Sequence, residues 1–550
     1  MVGSYRTEAR IADILSALAS KLHLRYSVAL LLLGIVSILY RLPALLNAAG
    51  VHSDAAIVGL QAEHILRGEW YWLLWGTSYQ GSFDALLIAL AFAITGPSPL
   101  TLMLVPLIGY LLLVWFVFDV LRERLNVTLA VISALVVVFT PYAINGVTLY
   151  APRQWCITCV IAAVWLLDGA RESRAPLLRY ALGAMIGALS VYLDLFALQF
   201  VPGLAVFALA CSLDARPPRS LALRRTVACI AGFALGFFLT WLLRRSAPSA
   251  EVEGLSFSRI AANFDLLWNA CLPWLLGYKV YVPWVDFFNP QPWEAPALFR
   301  ALQIVGAASL AVGILLGGLA TFVRSVPWTV RRLGLLGFIV SACSILGFLV
   351  SVMPTDAWAA RYLAPIVWTA PFALAPTAYR LRSWRFAAAV TPYLIVAAVG
   401  GWLSFGLYLH GPFPIMHPRG VASEEARLGQ VLRAKGVTYA SADYWLAYRL
   451  TFLWGENPIV TPLNTPLHYQ GFRYAPYQDA FDTSPVVAFI FHPWVPSAAP
   501  EPYEAWLRGL GVPYERVQVA DFTALIVRRR PCELMTPDLL ASEGLSACPG

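Results

Sequence analysis

Eleven apolar runs recur along the chain, near residues 27–46, 101–119, 127–144, 154–168, 180–193, 195–212, 226–243, 301–323, 334–352, 362–378 and 387–408. Each predicts a transmembrane helix. Several are shorter than the roughly 20 residues that span a bilayer, so their ends are soft. A twelfth run, 83–95, has only thirteen residues and begins beside Asp84. Charge decides its status. Basic residues gather in every second connection: Arg6, Arg10, Lys21 and Arg25; Arg122 and Arg124; Arg171, Arg174 and Arg179; Arg216, Arg219, Arg224 and Arg225; Arg324, Arg331 and Arg332; Arg380, Arg382 and Arg385. These six segments hold 19 of the 39 basic residues, and the positive-inside rule puts them on one face, provided that 83–95 does not cross. The predicted topology has eleven spans, with the N-terminus inside and residues 47–100 outside. Helix 83–95 lies along the membrane or dips into it, and the C-terminus is outside.

Beyond residue 408 the pattern changes. Ser423–Lys435 reads as an amphipathic helix ending at Gly436, with further helical patterns at Asp443–Leu453 and Tyr503–Leu510. Short β-like runs occur at Val437–Ala440, Ile459–Thr461, Val486–Phe491 and Thr523–Val527. Strands alternating with helices predict a small α/β domain over 409–550 on the outer face, after a membrane domain over 1–408. The membrane domain carries long outer loops at 47–100 and 244–300. No internal repeat and no low-complexity tract is evident.

Composition supports this division. Of 550 residues, 59% are apolar and 13% charged, where a soluble domain carries about 25% charged. The 20 Trp residues suit rings anchored at the membrane interface. A net charge of +8 could suggest nucleic acid, but the Arg clusters follow membrane topology, so no nucleic-acid partner is expected. The first apolar run follows a basic, partly amphipathic stretch without a small-residue cleavage site, and is read as an anchor. Cys156 and Cys159 form a CxxC inside an apolar helix, where packing is the ordinary role. Cys532 and Cys548 fall in the outer tail, an oxidising compartment on this topology, and are expected to form a disulfide.

The first outer loop holds the best candidate chemistry. Ser53 suits an N-cap and Gly68 a C′ position, with a helix of about fourteen residues between them. Asp54 then sits in the first turn, where the positive helix end favours an ionised carboxylate. A carboxylate at the outer surface can act as general base toward a hydroxyl. Capping alone also explains an Asp at a helix start. Glu63 and His64, further along the helix, are expected to face water.

Here the residues carry a resemblance. One N-terminal span precedes an outer loop that opens with an acid, a helix ending in His64-Ile65-Leu66-Arg67-Gly68, an aromatic stretch and a short apolar helix. This order resembles the GT-C membrane glycosyltransferases, among them the protein O-mannosyltransferases and the lipid A aminoarabinose transferases. Val58-Gly59-Leu60, Trp75-Gly76, Tyr79-Gln80-Gly81-Ser82, Phe83-Asp84-Ala85 and Asp443–Leu453 are similar to a subgroup of uncharacterised bacterial members. The resemblance implies a GT-C-like fold and a multi-pass protein of the bacterial plasma membrane, with a cytoplasmic N-terminus and a periplasmic or extracellular C-terminal domain. It implies a sugar transferred, with inversion, from a polyprenyl-phosphate donor to an acceptor on the outer face. The acceptor class, whether glycan, lipid or protein, stays open, as does the choice of hexose or pentose. Membrane lipids are the other expected partners.

The resemblance also makes the loop acid, Asp54, the expected base. Asp84 is a candidate second acid at the same surface, and Asp194, an ionisable group in the short turn between two spans, is a further site candidate. The leaving group is a lipid phosphate, so cations should stabilise it. Arg361 is favoured because Arg361-Tyr362 resembles an Arg-Tyr pair of relatives; Arg153 and Lys279 are the other outer-side candidates. Tyr362, Tyr79 and Gln80 complete the expected substrate contacts. Two departures stand out: Asp54 is followed by Ala55 rather than a second acid, and Gln80-Gly81-Ser82 replaces a Lys-Pro element. They leave the donor and its phosphate contacts open. His410, His417, His468 and His492 lack ligand spacing, so no zinc site is predicted, although a divalent metal cofactor stays open. Tyr444 and Trp445 suit a core role better than sugar stacking. The alternative functions are a transporter or flippase of a lipid-linked sugar, which predicts repeats and broken midplane helices, and a non-catalytic scaffold.

Overall fold

The computed structural model describes residues 26–46, 48–141, 144, 153–214, 217–245, 254–282, 291–381, 383–406, 421–463, 473–493 and 499–535. Every apolar run contains a helix. In chain order these are α1 Tyr26–Leu46, α2 Ser53–Leu66, α3 Phe83–Thr95, α4 Pro99–Arg124, α5 Val127–Val138, α6 Gln154–Asp168, α7 Pro176–Leu193, α8 Val201–Ser212, α9 Arg219–Arg244, α10 Ala297–Ala320, α11 Trp328–Val350, α12 Ala364–Arg380 and α13 Ser383–Gly406. Seven of them (α1, α4, α7, α9, α10, α11 and α13) are long and apolar enough to cross a membrane. The other four expected spans form shorter helices, α5, α6, α8 and α12, of 12, 15, 12 and 17 residues. Helix length therefore supports seven spans by itself, and the remaining four rest on the charge pattern.

The chain forms two compact units. The first comprises residues 1–43, 106–149 and 153–407. Its helices approach closely at small residues, as lipid-embedded bundles require. A Cβ on Gly317 of α10 would lie 1.7 Å from the carbonyl oxygen of Ala373 in α12, and one on Gly232 of α9 would lie 2.2 Å from that of Ala181 in α7. At one end of this unit the C-terminal ends of α4, α6 and α8 meet the first turns of α11. The buried Arg332 guanidinium donates to Asp168 at 2.7 and 3.2 Å and to Asp214 at 2.9 Å. Arg124 also reaches Asp168, at 2.9 Å, and Arg171 lies 3.7 Å from Asp214. Beside them α1 begins: Arg122 lies 4.5 Å over the Tyr26 ring, and the Trp115 indole donates to the Tyr26 hydroxyl at 2.9 Å. Near the other end of α1, Arg41 sits 3.3 Å over the ring of Tyr110. Helices α1 and α4 are therefore antiparallel, with the start of α1 beside the basic end of α4.

The second unit comprises residues 44–105, 150–152 and 408–550. The first loop, which the sequence assigns to the membrane domain, thus packs with the tail. Five strands, β1 Tyr439–Ala442, β2 Ile459–Pro462, β3 Val487–Phe491, β4 Tyr514–Val519 and β5 Phe522–Val527, form one sheet in the order β2-β1-β3-β5-β4. Strand β1 pairs in parallel with β2 and β3, and the β4–β5 hairpin is antiparallel to the rest. Central strands β3 and β5 are buried along their whole length, as their unbroken apolar sequences require. The helices of the tail are α14 Val421–Ala434, α15 Tyr444–Leu453, α16 Ala475–Thr483 and α17 Pro500–Gly509. Leu428 and Leu432 of α14, Leu446 and Leu450 of α15, Phe481 of α16 and Leu507 of α17 close over the sheet.

Candidate active site

Helix α2 spans the fourteen residues expected, but its cap differs. The N-cap is His52, whose imidazole accepts from Ala55 N at 3.4 Å. Ser53 is the first helical residue, and its hydroxyl donates to the carbonyl of Tyr444 instead of capping. Gly68 follows the helix with φ +92°, the left-handed conformation that suits glycine. A buried ion pair anchors this helix start. Arg449 of α15 forks onto Glu425 of α14 at 2.7 and 3.0 Å, and its remaining nitrogen donates to the carbonyl of Val51 at 2.6 Å. With both side chains 1% exposed, the fork satisfies groups that would be costly to leave unpaired.

Asp54 lies in the first turn of α2 with its side chain 41% exposed. The hydroxyl of Tyr444 donates to its Oδ1. The Arg473 guanidinium lies 3.8 Å from the same oxygen and donates to the Tyr444 hydroxyl at 3.2 and 3.3 Å. Arg473 also donates to the carbonyl of Gly76 at 2.9 Å. Gly76 has φ +60°, and a Cβ there would lie 2.6 Å from the Arg473 Cα, so only glycine allows this approach. Among the described residues no group donates to Oδ2. Burial and the Asp54 charge push the Tyr444 phenol well up, so it remains a donor at ordinary pH. Burial opposes the Arg473 charge, but Tyr444 and Asp54 outweigh it and hold the guanidinium firmly protonated.

The other first-loop candidates take varied places. Asp84 is buried in the first turn of α3, and Gln80 is buried nearby, its carbonyl accepting from Leu74 N at 3.0 Å. Tyr79 is 38% exposed. Glu63 and His64 do not simply face water. The His64 ring is buried between Glu69 and Glu456, each 2.8 Å from one ring nitrogen. Arg67 and the hydroxyl of Tyr477 also donate to Glu456. Burial, then the Glu456 charge, pushes the Glu63 carboxyl up to about 7. Burial acts in the same sense on Glu456, but donation from His64, Arg67 and Tyr477 prevails and holds it down at about 2.

Asp194, Arg153, Lys279, Arg361 and Tyr362 belong to the first unit. Asp194 is buried at the C-terminal end of α7, pairs with Arg153 at 2.7 Å and accepts from Phe196 N at 2.8 Å. Each is therefore the other's counter-ion. Lys279 donates to the carbonyl of Asn269 at 2.6 Å. Arg361 donates to the Tyr362 hydroxyl at 3.1 Å, with its guanidinium 4.9 Å from that ring. It has no carboxylate partner among the described residues, which leaves its charge available to an anion. No group of three or more His, Cys, Asp or Glu is placed to hold a metal ion among the described residues. His492 is buried, which pushes its imidazole down to about 4. His410, His417 and His468 lie outside the described residues. Cys532 is disulfide-bonded, and Cys548 lies outside the described residues.

Residues 83–243 match the family model of dolichyl-phosphate-mannose-protein mannosyltransferases. None of the curated proteins matches the sequence. Among solved structures the chain is similar to ArnT from Cupriavidus metallidurans bound to undecaprenyl phosphate. The TM-score is 0.55 at 11% identity, over 92% of this chain and 98% of that one. The chain thus shares its fold with that protein, and one stretch of it matches the mannosyltransferase family model. A further solved structure, the Archaeoglobus fulgidus oligosaccharyltransferase in complex with Zn and sulfate, aligns with a TM-score of 0.42 at 13% identity, over 84% of this chain and 67% of that one.

The family-model match begins at Phe83, so Asp54 and α2 fall before it. The structural likeness to ArnT, by contrast, spans 92% of this chain. The sequence pointed to Asp54 but missed its companions. Tyr444 was legible only as an aromatic in a familiar stretch, and Arg473, 29 residues beyond it, carried no signal. Glu456 was equally silent.

Proposed function

We propose that this chain is a GT-C glycosyltransferase that transfers a sugar from a polyprenyl-phosphate donor to an acceptor hydroxyl on the outer face of the membrane, with inversion. One observation carries the reading: in a chain of this fold, Asp54 is a half-exposed carboxylate with Oδ1 held by Tyr444 and Oδ2 without a protein donor among the described residues. The undecaprenyl phosphate in the similar ArnT structure supports a lipid phosphate as the leaving group.

The chemistry is a single displacement. The acceptor oxygen forms its bond to the anomeric carbon while the bond from that carbon to the phosphate oxygen breaks. The electron pair leaves with the polyprenyl phosphate, and the acceptor proton passes to Asp54. A carboxylate can do this when the proton moves late, after bond formation has made the hydroxyl acidic. Arg361 meets the phosphate, where a planar guanidinium binds two oxygens at once. By the positive-inside rule the start of α1 and the basic end of α4 face the cytoplasm, and the chain between the two helices, including α3, stays on the outer side. The test is transfer from a polyprenyl-phosphate sugar by the purified protein in nanodiscs. Arg361→Ala should raise donor KM and lower turnover, with Arg361→Lys between it and the parent. Unchanged donor kinetics in Arg361→Ala would move the phosphate contact elsewhere.

A further inference from the structure

The geometry points to Tyr444 and Arg473 as positioning residues for the base, so that the tail completes the reaction centre opened by the first loop. This rests on the reading of Asp54 as base. Both contacts fall on Oδ1: the Tyr444 hydroxyl donates to it, and the Arg473 guanidinium stands 3.8 Å away. A carboxylate fixed through one oxygen is fixed in rotation too, and it turns Oδ2 in one direction. That oxygen is the one left to take the acceptor proton.

The two positioning side chains are themselves held. Tyr444 opens α15, whose N-cap is Asp443, accepting from Trp445 N at 2.9 Å. Its carbonyl accepts from Ser53, the neighbour of Asp54, so the acid and its hydroxyl partner are joined through backbone as well as side chain. Arg473 bonds Tyr444 through two nitrogens, and the third reaches Gly76. The Tyr448 hydroxyl accepts from the Arg473 backbone N–H. Each donor thus has a single direction available. A charged donor group that needed no catalytic partner would gain little from being aimed at a half-exposed carboxylate, where an ion pair is worth about 0–1 kcal/mol.

A double-mutant cycle tests this on the full-length protein in nanodiscs. Tyr444→Phe removes only the hydroxyl. It should lower kcat about tenfold, the loss worth one directed hydrogen bond, with donor KM and thermal unfolding unchanged. In an Asp54→Asn background the same substitution should cost nothing further, because the oxygen it positions no longer accepts a proton. Arg473→Lys should retain more activity than Arg473→Gln, and both should follow the same non-additive pattern. Full kcat in Tyr444→Phe, or an equal loss with and without Asp54, would overturn the assignment. Full activity in Asp54→Asn alone would instead overturn the base itself. If Tyr444→Phe does not fold, Arg473→Lys decides by the same comparison.

Discussion

The hydroxyl of Tyr444 donates to Oδ1 of Asp54 across 390 positions of sequence. Neither residue could have been paired with the other from the chain alone, yet each is set by local rules. Asp54 sits where a helix start favours a carboxylate. Tyr444 follows an Asp that caps its own helix. What brings them together is the buried fork of Arg449 on Glu425, whose third nitrogen holds the strand of backbone entering α2.

That fork should be costly to break. Arg449→Met leaves Glu425 buried without its partner, and loss of one member of a buried pair destabilises by about 3–5 kcal/mol. Thermal unfolding should drop by several degrees. The double variant Arg449→Met, Glu425→Leu should recover part of the loss, since an apolar pair of similar volume is tolerated.

A second ion cluster makes a separate prediction. Arg332 satisfies Asp168 and Asp214 together. Arg332→Leu should destabilise the helical unit by a similar about 3–5 kcal/mol. Asp168→Asn should cost less, because Asp214 still neutralises the guanidinium. Unfolding midpoints in one detergent rank the two, and the opposite order would show that Arg332 is not the centre of the cluster.

The pH dependence of stability should carry the mark of Glu63. Its folded pKa, about 7, lies above the value of 4.5 expected of an exposed Glu. The folded state therefore holds that proton more tightly between these values, and stability declines as pH rises through the window. Glu456 works the other way: held down at about 2, it contributes stability above pH 4.5 that is lost as pH falls toward 2. Glu63→Gln should flatten the decline between pH 5 and 7.5 while leaving the acid limb. Equal pH slopes in parent and variant would remove Glu63 as the source.

Topology can be read by labelling. Helices α1 and α4 are antiparallel, with Tyr26 at the start of one against Arg122 at the basic end of the other. Single cysteines at Ser78 and Ser98 should therefore both react with an impermeant reagent added outside. Labelling of Ser78 alone would mean that α3 crosses and would invert everything after it.

Much of the architecture was legible because membrane folds write themselves in long apolar runs and in charge between them. All eleven runs contain helices, and the basic residues of several connections meet at one end of the bundle, at Arg124, Arg171 and Arg332. The tail was legible where strands are buried on both faces. Strand β4 was missed because Tyr-Glu-Arg-Val-Gln-Val lies at the sheet edge and alternates half-buried with exposed. The site was half legible. An acid at a helix start is a local signal. Arg473 and Glu456 act across hundreds of positions, and His64 was misplaced because its burial depends on Glu456, Tyr477 and Trp75 rather than on its own helix.

Turnover of Asp54→Asn tests the role of this carboxylate most directly. The substitution keeps the size of the side chain and leaves Tyr444 a hydrogen-bond partner, so the protein should fold with an unchanged unfolding midpoint. Sugar transfer from a polyprenyl-phosphate donor should fall about 10²–10⁴-fold, the loss typical of a general base, with donor KM little altered. Transfer at the parent rate by a folded Asp54→Asn protein would contradict the account.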